Sequence, residues 1–132
     1  MSLMPKKNAN ESSVKKKVKT LLDEHQWYWW MPAANGFGQT GISDFNALKN
    51  GAFMVVETKF GKNKATPMQV AFLNSIRSCD GFAFLVTDQN VDSLAAFLGA
   101  FDRAVAAAAK EEKPTPEDGS MMINAIQALT NY

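Results

Sequence analysis

Asp44, Glu57 and Lys59 stand where charge is costly. They belong to SDFNALKNGAFMVVETK, residues 43–59, which otherwise reads as two apolar strands around Asn50-Gly51, the strongest short hairpin signal. With Asn50 and Gly51 as the loop, facing positions sum to 101, so Lys49 meets Ala52, Leu48 meets Phe53 and Asp44 meets Glu57. Directly opposed residues hold their Cβ atoms about 4.5 to 5.5 Å apart on one face, where like charges repel. Alternation puts Glu57 and Lys59 on that face and turns Thr58 away. Two chemistries relieve the repulsion: one carboxyl keeps a proton, or a cation sits between the two. Mg²⁺ suits the second, because it accepts one or two protein carboxylates and keeps water and substrate phosphate in its other positions. The bland alternative is a solvated sheet edge on which Lys59 pairs an acid to little effect. The run MVVE weighs against it, since it reads as a strand buried on both faces, where an unpartnered charge is uncommon.

Other chemistry is scarce. A single cysteine, Cys79, has no internal disulfide partner, and a single histidine, His25, leaves too few ligands for a zinc site. Any metal must therefore be held by oxygens. His25 stands at a predicted helix end, where a surface or capping role competes with that of a general base. The run WYWW, residues 27–30, could stack bases, but aromatic residues in a strand more often pack a core or an edge.

The elements that must position these groups follow from periodicity. Residues 12–26 place Val14, Val18, Leu21 and Leu22 at helical spacing, with Ser or Asn available as a cap and lysines outward. A strand at 27–31 runs into Pro32 and the glycine-rich stretch AANGFGQTG, and the hairpin strands follow near 43–48 and 52–59. After the loop FGKNKA, Thr66-Pro67-Met68-Gln69 opens a helix with a threonine cap, proline at the first helical position and glutamine completing a capping box. That helix reaches about Ser78 and turns into the strand FAFLV. A further helix begins near Val91, with Leu94, Phe97, Leu98, Phe101 and Val105 on one side. One hairpin and one crossover connection predict an α/β fold with a mixed sheet. The expected organisation is a flexible segment at 1–10, one domain over 11–109, a charged linker at 110–119 (KEEKPTPEDG) and a short helix in 120–132.

The 132 residues, 46% apolar and 20% charged, suit one soluble domain. No apolar run approaches the roughly 20 residues of a membrane helix, and the lysine-rich start has no apolar stretch like that of a secretory signal, so a cytoplasmic protein is expected. The opening MSL before Met4 could be an expression scar and carries no weight here. Net charge is only +1, yet residues 1–80 carry 11 Lys/Arg against 6 Asp/Glu, a balance of +5, and residues 81–132 carry 3 against 7, a balance of −4. Such asymmetry suggests a side that faces a polyanion, although Lys15, Lys16, Lys17 and Lys19 could equally form a solvated helix face.

These residues resemble a known family. GISDF, thirteen positions from Asp44 to Glu57, then ETK, a helix opened by T-x-x-Q and the strand GFAFLV resemble the PD-(D/E)XK nuclease superfamily, and within it the virus-type replication-repair nucleases (VRR-NUC) and the related Holliday-junction resolvases. The resemblance spans roughly residues 11–87. It implies a restriction-endonuclease-like mixed sheet flanked by helices, with an α-β-β-β-α-β core. It also implies a Mg²⁺- or Mn²⁺-dependent DNA endonuclease, directed to DNA structure rather than sequence, of phage or prophage type and acting in a bacterial cytoplasm. Asp44 and Glu57 would bind the metal together with the backbone carbonyl of Thr58, and Lys59 would orient the attacking water and stabilise charge at phosphorus. Glu11 matches an acid that many members place near the metal, and Gln69 matches a glutamine after the catalytic strand. Ser43 stands where the family name has proline. Glu11 could instead serve as a capping acid three residues after Asn8, and Gln69 satisfies a capping box whatever else it does. Lys15, Lys16, Lys19, Lys62 and Lys64 are the candidates to track a phosphate backbone.

A homodimer is an expectation too, because one domain of this size offers one site. Two alternatives stay open at this level: a non-hydrolytic nucleic-acid-binding module that retains the fold, and an ordinary solvated acid patch.

Overall fold

The computed structural model describes residues 9–33 and 43–132. The opening MSL, Asn8 and nearly all of the glycine-rich stretch, including Gly41 and Ile42 of GISDF, lie outside the described residues.

The chain forms an α/β fold: α1 (Glu11–Glu24), β1 (Tyr28–Trp30), β2 (Phe45–Lys49), β3 (Ala52–Thr58), α2 (Pro67–Ser78), β4 (Phe82–Val86), α3 (Val91–Ala109) and α4 (Pro116–Leu129). The four strands make one mixed sheet in the order β1-β2-β3-β4. The hairpin register is the one expected, with Lys49 opposite Ala52 and Phe45 opposite Val56. Asn50 (φ 50°) and Gly51 (φ 80°) are both left-handed, as a two-residue turn matching the strand twist requires. β4 runs parallel to β3, reached through α2.

α1 ends two residues before the periodicity predicts. Gln26 takes φ 61°, the Trp27 N–H donates to the Leu22 carbonyl and the Gln26 N–H to that of Asp23, a left-handed stop that seats Trp27 under the helix. At the other end Asn10 and Ser13 form the capping box. Glu11 is thus the first helical residue, and its charge complements the helix N-terminus.

One face of the sheet carries the main core. Val14, Val18 and Leu22 of α1, Phe45, Ala47, Met54 and Val56 of the strands, and Leu94, Phe97, Leu98 and Phe101 of α3 pack together there. α2 covers the opposite face of β3 and β4, where Leu73 meets Val55 and Ala83. Only half of the aromatic run joins the core. Trp27 and Trp29 turn inward onto Phe101 and Phe45, whereas Tyr28 and Trp30 point out.

The linker expected over 110–119 stops at Thr115. Thr115 accepts from the Asp118 N–H and Pro116 takes the first helical position, so α4 repeats the Thr-Pro start of α2 inside a stretch whose charge reads as linker. α4 docks on α3, burying Ala125 and Leu129 in the main core. The outer edge of β4 is finished by side chains: Tyr132 Oη donates to the Ala83 carbonyl at 2.9 Å and Asn90 Nδ2 to the Leu85 carbonyl at 2.9 Å, which satisfies strand carbonyls that would otherwise stay open. Among the described residues no helix is long and apolar enough to cross a membrane.

At the hairpin end of the sheet, Lys49 Nζ donates to Asp102 Oδ1 and His25 Nδ1 shares a hydrogen bond with Asp102 Oδ2, both at 2.7 Å. Burial raises the Asp102 carboxyl, but its bonds and charges with His25 and Lys49 outweigh that and hold it below its usual range. His25 is the C-cap of α1 in this clamp. It stands at the opposite end of the sheet from the carboxylates, which removes it as their general base.

Candidate active site

β3 carries Glu57 and Thr58 to the end of the sheet, where the N-termini of α1 and α2 also arrive. Ser43, buried, donates its hydroxyl to Asn46 Oδ1 at 2.7 Å and so braces the entry to β2 without proline. Asp44 sits at the bend just before β2, one position past the last paired rung. Its side chain is therefore freed from the strict alternation of the ladder. Asp44 Oδ2 accepts from the Thr58 N–H at 2.8 Å and the Thr58 hydroxyl at 2.7 Å. Thr58 turns to the opposite face from Glu57, as alternation predicts, with Val56 toward the main core; it is Asp44, outside the ladder, that reaches it, and the Thr58 hydroxyl orients this carboxylate.

Glu57 is only 4% exposed. Gln69 Nε2 donates to its Oε1 at 2.7 Å, while Gln69 Oε1 accepts from the Thr66 N–H at 2.8 Å. One glutamine thus completes the α2 capping box and holds the second carboxylate. Burial first, and the Asp44 carboxylate second, push the Glu57 carboxyl up to about 8; Lys59 offsets part of this, Glu11 adds to it, and a hydrogen bond with Asp44 raises it further. In the absence of a cation, the repulsion is relieved by Glu57 holding its own proton up to about pH 8.

Lys15, grouped by sequence with the phosphate-tracking lysines, instead lies between two acids, with Nζ 3.8 Å from Glu11 and 3.7 Å from Asp44. Helical spacing makes the Glu11 contact foreseeable; the Asp44 contact depends on where α1 crosses the sheet. Lys59 forms no ion pair among the described residues, so its charge acts on Glu57 from a distance. Lys62 and Lys64 border a cleft of about 730 Å³ between the β3–α2 loop, the end of β4 and the end of α4. Lys16 lines a groove between α1 and α3. Lys19 lies one turn beyond Lys15, and neither it nor Lys16 bonds an acid of the site.

Neither a protein-family model nor a curated protein matches this chain. The site must therefore be read from its own geometry. Among the described residues no three His, Cys, Asp or Glu side chains are grouped to hold a metal by themselves. Two facing carboxylates, with water completing the shell, still match what Mg²⁺ asks of a protein, and a strongly bound proton marks where positive charge is wanted. The Thr58 main chain adjoins both carboxylates and could add its carbonyl.

The double duty of Gln69 is testable. Gln69→Ala removes the cap partner and leaves Glu57 without its donor, so it is expected to cost about 1 kcal/mol in a urea melt and to lower any cleavage rate by about tenfold or more. Gln69→Glu, which can still cap, should keep the helix but set a third carboxylate against Glu57. Equal activity in all three proteins would reduce Gln69 to a capping residue.

Proposed function

We propose that this chain is a divalent-cation-dependent nuclease that hydrolyses phosphodiester bonds in DNA, and that it belongs with the PD-(D/E)XK enzymes its motif resembles. The observation that carries this reading is the buried Glu57 facing Asp44, each held by its own donors, at a sheet end reached by two helix N-termini. A chain under no catalytic demand has little reason to bear such a pair, because burying and opposing two carboxylates is destabilising.

Asp44, Glu57 and the Thr58 carbonyl would hold Mg²⁺ or Mn²⁺. When bound, such a cation polarises the scissile phosphate and lowers the pKa of a coordinated water. The chain's own groups do the rest. Thr58 and Gln69 orient the carboxylates, and the Lys59 ammonium stabilises charge developing on the phosphate oxygens. Helix N-termini beside the site favour an anionic substrate, and Lys62 and Lys64 lie where the strand can continue. A single site per chain cuts one strand at a time, so breaking both strands of a duplex calls for two copies or two encounters.

The test is incubation with labelled duplex, single-stranded, flap and four-way-junction DNA in Mg²⁺, Mn²⁺ or EDTA. Cleavage is expected only with the cation. Lys59→Met, which keeps the stem and removes the charge, is expected to slow it by about a hundredfold or more while leaving the melting temperature within a few degrees. No product from any DNA under either cation would sink the nuclease and favour a module that binds without hydrolysis.

A further inference from the structure

The aromatic run is divided between two environments. Trp27 and Trp29 are packed, but Tyr28 is 72% and Trp30 40% exposed, with ring centroids 5.7 Å apart. Leu48, paired with Tyr28, is 43% exposed. This open area is the half of the sheet face that α2, packed on β3 and β4, leaves bare.

It is also the face of Glu57. Trp30 is level with Asn46, and Asn46 with Val55; Val55 packs under α2, and Glu57, two residues on, bonds Gln69 of the same helix. Glu57 thus lies two strands across and one side-chain row along from Trp30, about 12 Å by strand geometry. That is a few nucleotides along one strand.

We propose that Tyr28 and Trp30 are a stacking platform for unpaired bases of the strand that enters the carboxylate site, so that the substrate carries a single-stranded segment beside the cleaved bond. The inference rests on the nuclease reading and names its substrate class. The face matches nucleic acid better than it matches an apolar partner. Two flat rings stand ready for bases, the sheet positions between them and Glu57 carry no acid, and the positive charge of Lys59 waits at the far end for phosphates. Stacking needs a base whose face is free; inside a duplex both faces are covered by neighbouring pairs, whereas single strands, flaps and frayed ends offer them. Exposed aromatic residues on a sheet serve RNA-recognition domains in this way.

The experiment measures binding in EDTA, where hydrolysis plays no part. Fluorescence anisotropy compares a labelled oligo-dT strand with a blunt duplex for the parent, Tyr28→Ala/Trp30→Ala and Tyr28→Phe/Trp30→Phe. The alanine protein is expected to lose about tenfold or more in single-strand affinity, with duplex affinity changed less than about threefold, and the phenylalanine protein to recover most of the loss. Both side chains are exposed, so melting temperatures should agree within a few degrees. Single-strand affinity indifferent to the rings overturns the platform, whatever the cleavage assays give. So does sedimentation showing that the parent self-associates, that the alanine protein does not, and that DNA affinity is equal; the face would then belong to a second copy. Ring-dependent binding without cleavage under any cation upholds the platform and fails the nuclease alone.

Discussion

A Glu57→Gln protein is expected to lose about a thousandfold or more in cleavage and yet to melt higher than the parent at pH 8. The ordinary glutamate value is 4.5, and in the fold burial and Asp44 push it up to about 8. Between those two pH values the folded chain keeps a proton that the unfolded chain has released. Stability attributable to this group therefore falls as pH rises from about 4.5 to about 8 and is level above that. Glutamine is neutral throughout, can accept the Gln69 bond, and removes the fall, for a gain on the order of 4 kcal/mol at pH 8. Melts of both proteins from pH 5 to 9 in EDTA would show it as a steeper pH dependence in the parent. Parallel curves would mean that Glu57 ionises freely and that the pair is not strained. Adding Mn²⁺ should raise the parent's melting temperature and leave the variant's almost unchanged. Because the cation displaces a proton, its affinity should climb with pH and level off near 8. A site that is more stable when disabled is the expected signature of groups kept for chemistry.

The second large effect lies far from the carboxylates. Removing residues 110–132 is expected to abolish cooperative folding of the remainder. Ala125 and Leu129 are buried in the main core, the Ala128 carbonyl accepts from Asn90 Nδ2 at 3.2 Å, and Tyr132 bonds the β4 edge. Deletion would expose the α4-facing side of α3 and reopen the β4 edge together. Against a total stability of about 5 to 15 kcal/mol, Leu129→Ala alone should cost about 3 kcal/mol. Circular dichroism during urea unfolding measures both. A truncated chain that melts cooperatively within a few degrees of the parent would make α4 an appendage rather than part of the core.

The two outcomes bear on what can be read without coordinates. The 110–119 segment has the composition of a linker, and composition dominated that reading, although Thr115-Pro116 repeats the helix start correctly read at Thr66-Pro67. The capping signal was present; the missing information was a surface on which a weakly amphipathic helix could be stable, and α3 supplies it. The same holds for Lys15. Its i, i+4 partner Glu11 is visible along the helix, but its approach to Asp44 depends on the position of α1 over the sheet.

What the sequence determined by itself was local: the Asn50-Gly51 turn and its register as far as Phe45 and Val56, the Thr66–Gln69 cap, and the order of strands and helices. Each arises from backbone geometry within a few residues or from period-two alternation, which a turn of known length carries across to its partner strand. Only the tertiary structure decided that Gln69 reaches Glu57, that Thr58 bonds Asp44, that α4 closes the β4 edge, and that Tyr28 and Trp30 stay open while Trp27 and Trp29 are buried. Alternation separates the rings of a strand into two faces, but which face is covered depends on where a helix distant in sequence comes to rest. Here α2, following β3 directly, packs over β3 and β4 and leaves the face of β1 and β2 bare.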